Sequence, residues 1–187
     1  TYFAGALTGA SGSLLSSSGM MTKVYFPRLV IPIAPVMSKL VDFGIAFVIL
    51  LLMMAYFGFM PSIQIIYLPL LILIMMITAS GMGMWLTAMA VQYRDINYAM
   101  SFFVQLLMYA APVVWPISLV EDKFGSTVTL LYGLYPMAGI IEGFRSALLG
   151  HNPMPWGLIG MGTITALILF FTGSLYFRRK ERIFVDV

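Results

Sequence analysis

The chain has no cysteine and only one histidine, His151, among its 187 residues. Without cysteine there is no disulfide framework, no thiolate chemistry and no cysteine metal site. One histidine and no clustered carboxylates within the apolar stretches leave too few groups for metal catalysis or paired acid–base catalysis. We therefore predict no catalytic and no metal-binding residues.

A phosphate-binding loop is also missing. Such a loop places a lysine directly after a glycine, and none of the chain's four lysines follows a glycine. The ten lysines and arginines do not form a stripe that would suit nucleic acid. We expect this chain to hold no cofactor of its own and to have no nucleic-acid partner.

Charge is absent from one long run. From Phe43 to Tyr93 there is no Asp, Glu, Lys, Arg or His, and the run is broken most clearly at 58–61. The hydrocarbon core of a bilayer needs roughly twenty apolar residues, so the run predicts two membrane spans and a turn. Charged residues make up 9% of the chain, against about 25% in soluble domains. We therefore predict an all-α integral membrane protein.

We predict one transmembrane domain over residues 1–187. Residues 1–10 are the expected end of a truncated span, and 11–32 a cytoplasmic coupling region. Complete spans are expected at about 33–56, 65–91, 98–115 and 156–177, with a cytoplasmic tail at 178–187. Glycine, proline and charge interrupt residues 126–150, which we predict to be two short helices dipping into the outer leaflet.

Basic residues near the span ends set the orientation. With four spans they fall on one face, the predicted cytoplasmic face: Lys23, Arg28, Arg94, Arg178, Arg179, Lys180 and Arg182. On the outer side only Lys123 and Arg145 are cationic.

Two cytoplasmic segments could contact a partner. The basic–aromatic segment 23–28 is as compatible with an interfacial anchor as with a docking element. Tyr93, Arg94 and Asp95 lie in a very short turn, where a topology signal with helix capping competes with a second contact. Lys39 and Asp42, three residues apart, share a helix face and form either a local pair or a contact to a neighbour.

The remaining candidate functional residues lie in the predicted third span and in residues 126–150, which we call the outer segment. Tyr98, Phe102 and Tyr109 lie on one side of a helix, either stacking on sugar rings or packing in lipid. Trp115 suits an interface belt, at a proline-bounded helix stop or hinge. Glu142 and Arg145 are three apart, forming either a pore lining or a local salt bridge.

The ordered set of motifs resembles the permease subunit of polysaccharide ABC exporters of the ABC-2 type, which export O-antigen, capsule or teichoic acid. The likeness spans nearly the whole chain. The motifs that carry it are Lys-Val-Tyr-Phe-Pro-Arg (23–28), Leu-Val-Ile-Pro (29–32), Val-Asp-Phe (41–43), Tyr-Arg-Asp (93–95), Pro-Val (112–113) with Pro116, Tyr-Pro-Met through Leu-Leu-Gly (135–150) and the tail at 181–186.

The resemblance implies an ABC-2 type transmembrane helix bundle that works as a homodimer with separate ATP-binding subunits, which would bind ATP and Mg. It implies re-entrant outer gate helices over 133–150, which would flank the glycan channel and include Tyr135. It also implies ATPase coupling through Lys23, Tyr25, Phe26, Pro27 and Arg28, and through Tyr93, Arg94 and Asp95. The first family span would precede this sequence.

We therefore hypothesise a multi-pass subunit of a bacterial inner-membrane exporter that moves a lipid-linked glycan, with ATP hydrolysis in a partner. An ABC-2 exporter of drugs or small lipids is the first alternative. Less favoured are a membrane-embedded enzyme that acts on lipid-linked sugar and a structural subunit without a pathway. The expected path or gate residues are Tyr98, Phe102, Tyr109, Trp115, Tyr135, Glu142 and Arg145.

Overall fold

A computed structural model describes residues 1–16, 29–59, 61–93, 95–113, 117, 125, 128–150 and 152–180. The regular elements of these residues are helical. In chain order they are α1 (Tyr2–Ser16), α2 (Val30–Tyr56), a 3₁₀ helix (Ile63–Tyr67), α3 (Leu68–Gln92), α4 (Asp95–Ala110), α5 (Pro136–Leu149) and α6 (Trp156–Lys180). A short helical segment at 128–132 precedes α5.

Three helical segments of the described chain are long and apolar enough to cross a bilayer. They are α2, the 3₁₀ helix with α3, and α6, with 27, 30 and 25 residues. Each exceeds the roughly twenty residues that a span requires. They occupy the places where the sequence predicts the first, second and fourth spans.

The third predicted span, 98–115, differs from the helix found there. Helix α4 has 16 residues and ends at Ala110, and the chain turns over 111–113. A helix of this length covers about 24 Å, less than the hydrocarbon thickness of about 30 Å. Pro112 explains the stop, because proline has no N–H to continue the helical ladder.

The segment predicted as two short outer helices is broken as expected. Residues 128–132 are helical, residues 133–135 turn, and α5 follows. Pro136 opens α5, and Gly150 ends it in the left-handed conformation, with φ 65°. These are the residues that favour helix starts and ends. The re-entrant placement of the two helices stays a prediction.

The chain divides into two compact units. Unit 1 comprises Thr1–Phe43, Met76–Leu107 and Leu167–Val187, and unit 2 comprises Gly44–Met75 and Met108–Ala166. In unit 1, Leu14, Met84 and Phe177 form a buried cluster. The hydroxyl of Thr87 lies 2.7 Å from the Ala10 carbonyl oxygen, so α1 and α3 are joined by a polar contact as well.

Helices α3 and α6 approach closely in unit 1 at two glycines. A Cβ on Gly81 would lie 2.6 Å from the Phe170 backbone nitrogen, and a Cβ on Gly173 would collide with the Gly81 carbonyl oxygen. One turn away, the Trp85 and Tyr176 rings stack at 4.5 Å. Small residues allow such contact between membrane helices, where dispersion must replace the hydrophobic effect.

Gly173→Val tests this contact. The two added methyls and the new Cβ meet backbone atoms that cannot move aside, so we expect a loss of about 1–3 kcal/mol. In a chain of this length that corresponds to a fall in Tm of roughly 2–12 °C. The measurement is thermal unfolding in detergent followed by tryptophan fluorescence.

Gly160→Val is the matched control, since Gly160 lies on the same helix with open space around its missing Cβ. Equal Tm values for the two variants would show that the close approach of α3 and α6 does not stabilise unit 1.

Candidate functional site

The predicted coupling residues fall mostly outside the described residues. Lys23, Tyr25, Phe26, Pro27, Arg28 and Arg94 all lie there. Tyr93 and Asp95 are described and exposed. The Tyr93 hydroxyl accepts a hydrogen bond from Gln92 Nε2 at 3.1 Å, which holds the ring beside the end of α3.

Asp95 is the first residue of α4. A carboxylate at this position interacts favourably with the unpaired N–H groups and the positive end of the helix dipole. The capping role that the sequence predicts for Asp95 therefore agrees with where α4 begins. It leaves the exposed carboxylate free to contact a partner as well.

The aromatic side chains of α4 lie on its exposed side. Tyr98, Phe102 and Tyr109 are 84%, 65% and 68% exposed. Their spacing of four and seven residues places them along one stripe, as the sequence predicts. Trp115, which we expected to continue the path, lies outside the described residues.

Helix α5 is held in unit 2 by close contacts at its two glycines. A Cβ on Gly139 would lie 2.8 Å from the Leu158 carbonyl, and one on Gly143 would lie 3.0 Å from Leu71. Gly139 and Gly143, four residues apart on one face of α5, are thus its contact with α6 and α3. At the helix start, burial raises the pKa of the Tyr135 phenol above its ordinary value, and Tyr132 raises it further.

Glu142 and Arg145 form an ion pair one turn apart on α5. Arg145 Nη1 lies 2.7 Å from Glu142 Oε2, and their side chains are 26% and 6% exposed. The sequence allows either a pore lining or a local salt bridge for these two residues, and the salt bridge is present. A carboxylate buried to this degree needs such a partner, because an unpaired charge there costs several kcal/mol.

Arg145 also reaches the end of α4. Its Nη2 donates to the Pro112 carbonyl at 3.0 Å and lies 3.4 Å from the Val113 carbonyl. The Tyr132 hydroxyl donates to the carbonyl of Ala110, the last residue of α4. Helix ends leave carbonyls without intrahelical partners. Two side chains of the outer segment therefore satisfy carbonyls at and just beyond the end of α4, an arrangement that we call the carbonyl clamp.

Sequence reasoning identified Arg145 but missed Tyr132 and the carbonyls at positions 110, 112 and 113. The contacts join residues 22 to 33 positions apart. The only signal in the sequence was Pro112, which forecasts a helix end and hence carbonyls that need donors.

The family described as ABC-2 type transporter matches residues 1–149 of the chain. The chain is also similar to proteins named "O-antigen export system permease protein RfbA". The one from Myxococcus xanthus is 24% identical over 181 residues, which cover 96% of this chain and 69% of the relative. Two from Klebsiella pneumoniae are each 22% identical over 187 residues, covering all of this chain and 70% of the relative.

The family match covers most of the described helices, including α5 with its ion pair. Together with the apolar helices, it makes this chain a multi-pass protein of the bacterial inner membrane and a membrane subunit of a transport system. The chain belongs to the ABC-2 type transporter family.

Proposed function

We propose that this chain is the membrane-spanning subunit of an ATP-driven exporter that moves a lipid-linked polysaccharide across the inner membrane. The observation that carries the proposal is the similarity to O-antigen export permeases along 96–100% of the chain. The polysaccharide would be of the O-antigen, capsule or teichoic-acid type.

Energy would come from a separate subunit. ABC-2 family membership implies an ATP-binding cassette partner, and the sequence contains no phosphate-binding loop of its own. ATP and Mg would bind to that partner. The segment 23–28 and Tyr93, Arg94 and Asp95 would form the contact through which the ATPase moves the helices.

The translocation path of the glycan would lie between two copies of the chain, and neutral side chains would line it. Aromatic faces bind sugar rings without charge, and α4 presents Tyr98, Phe102 and Tyr109 on an exposed stripe. A long glycan has to slide past its contacts, so uncharged surfaces that bind weakly suit it better than fixed ion pairs. The neutral Tyr135 phenol at the start of α5 fits the same requirement.

Helix α5 would act as part of the outer gate, with the carbonyl clamp as its hold on α4. Because Arg145 and Tyr132 bind carbonyls of residues at the end of α4, a movement of the last residues of α4 would be transmitted to residues 128–150. Rotation of the Arg145 and Tyr132 side chains would break these hydrogen bonds and release α5 from the end of α4.

Deleting the chain's gene in its host tests the function directly. We expect the lipid-linked glycan to accumulate inside the cell and surface glycan to disappear, because the exit route is lost. Surface staining with a lectin and thin-layer chromatography of extracted lipid-linked glycan measure the two pools, and a plasmid copy should restore the surface glycan. Normal surface glycan in the deletion strain, with a drug accumulating instead, would refute the proposal.

The coupling contact predicts a loss of ATP turnover. We expect Arg94→Ala, Tyr25→Ala and Phe26→Ala to lower the ATPase rate of the purified complex about tenfold, since each removes a contact worth roughly 1–2 kcal/mol at an interface. Ile63→Ala is the control, because Ile63 is 90% exposed and outside the predicted contact. Unchanged turnover together with unchanged subunit association would remove the docking role.

The carbonyl clamp predicts a particular pattern of stability. Arg145→Met leaves Glu142 buried without its partner, so we expect a loss of about 3–5 kcal/mol. The double variant Glu142→Gln with Arg145→Met removes the charge as well and should recover part of that loss. Thermal unfolding of the purified chain measures both.

Glu142→Gln alone serves as the export test, because it keeps the shape of the side chain and removes its charge. We expect Arg145 then to hold the end of α4 less firmly, with surface glycan reduced about threefold to tenfold, or roughly 0.6–1.4 kcal/mol. Unchanged export in a stably folded Glu142→Gln protein would show that the carbonyl clamp has no role in gating.

A further inference from the structure

A cavity of about 490 Å³ lies in unit 2 beside α5. Polar and apolar side chains line it together: Thr129, Glu142, Ser146, Asn152, Met154 and Leu158. Glu142, Ser146 and Thr129 are buried, at 4%, 2% and 7% exposed. Buried polar groups of this kind require partners, so their arrangement indicates what the cavity can bind.

The hydroxyl hydrogens in the cavity are already used. Ser146 Oγ donates to the Pro153 carbonyl at 3.4 Å, and Thr129 Oγ1 donates to the Gly125 carbonyl at 3.2 Å. Each oxygen keeps lone pairs that can accept a hydrogen bond. Glu142 can only accept when ionised, and Arg145 occupies Oε2. The buried polar groups of the lining therefore offer acceptors and call for a ligand rich in donors.

The charge of the cavity argues for a neutral ligand. Glu142 is balanced by Arg145 at 2.7 Å, so a bound cation would have to compete with a guanidinium already in place. Among the described residues no group of three or more His, Cys, Asp or Glu could hold a metal. Met154 and Leu158 supply an apolar wall against which the C–H face of a sugar ring can pack.

We propose that this cavity is a binding subsite for a neutral, hydroxyl-rich sugar unit. The inference rests on the proposed function and names a place where the exported glycan is held beside helix α5. Its volume lies toward the small end of ligand pockets, which favours about one or two sugar rings rather than a long chain. Glu142, the member of the ion pair that lines the cavity, would then serve the ligand as well as the fold.

The absence of cysteine from the chain allows a clean test. Asn152→Cys places one thiol on an exposed residue of the cavity lining. The purified variant, in phosphatidylcholine vesicles, is treated with methyl methanethiosulfonate, and the rate of modification is followed by mass spectrometry. A panel of neutral hexoses and N-acetylhexosamines is added, with glucuronate as a charged comparison and glycine betaine as an osmotic control.

We expect at least one neutral sugar to slow the modification about fivefold, because a site four-fifths occupied leaves one-fifth of the thiols free. Adding Ser146→Ala and Thr129→Val to the Asn152→Cys chain should abolish the protection, since both acceptors are lost. Ile63 is 90% exposed and does not line the cavity, so the Ile63→Cys variant should react at the same rate with and without sugar.

Three results would overturn the subsite: no neutral sugar protects, only glucuronate protects, or the thiol at position 152 does not react at all. A further experiment uses vesicles that contain phosphatidylglycerol, because its glycerol hydroxyls can donate hydrogen bonds as sugar hydroxyls do. Full protection by that lipid without sugar would assign the cavity to a headgroup and also overturn the proposal. The experiment needs no ATPase and scores no export, so its failure leaves the deletion test of the proposed function intact.

Discussion

The structure depends first on the constraint that backbone carbonyls of a membrane protein must find hydrogen-bond donors within the protein where water is absent. Helix α4 has 16 residues, fewer than the roughly twenty that a full span requires, and the carbonyls at its end have no partners within the helix. Tyr132 and Arg145 supply donors to Ala110 and Pro112. The position of the outer segment against the end of α4 follows from this requirement.

A second constraint is that membrane helices gain little from leaving lipid, so their association needs close backbone contact. Unit 1 meets it with Gly81 and Gly173, and unit 2 with Gly139 and Gly143. Hydrogen bonds accompany this packing and fix how the helices are aligned. In unit 1, Trp85 Nε1 donates to Thr172 Oγ1 at 3.1 Å. Helix α2 differs, because many of its large apolar side chains are exposed, which suits contact with lipid or with a second copy.

The sequence predicts well what depends on neighbouring residues. A charge-free run from Phe43 to Tyr93 requires two apolar helices, and α2 and α3 occupy it. The break before Pro136 is also a local pattern. Features that join distant residues could not be predicted: the pairing of Arg145 with carbonyls 32 and 33 positions away, and the cavity formed by residues 117 to 158. Local patterns fix an element but not its partner.

The buried ion pair raises the question why an apolar pair did not replace it, since such replacements are often stabilising. In this chain the pair has two further roles that an apolar pair would lose. Arg145 satisfies carbonyls at 112 and 113, and Glu142 contributes an acceptor to the cavity. Arginine suits this place better than lysine, because its planar fork binds a carboxylate and a carbonyl at once. An apolar pair would therefore lose both the hold on the end of α4 and the acceptor that faces the proposed subsite.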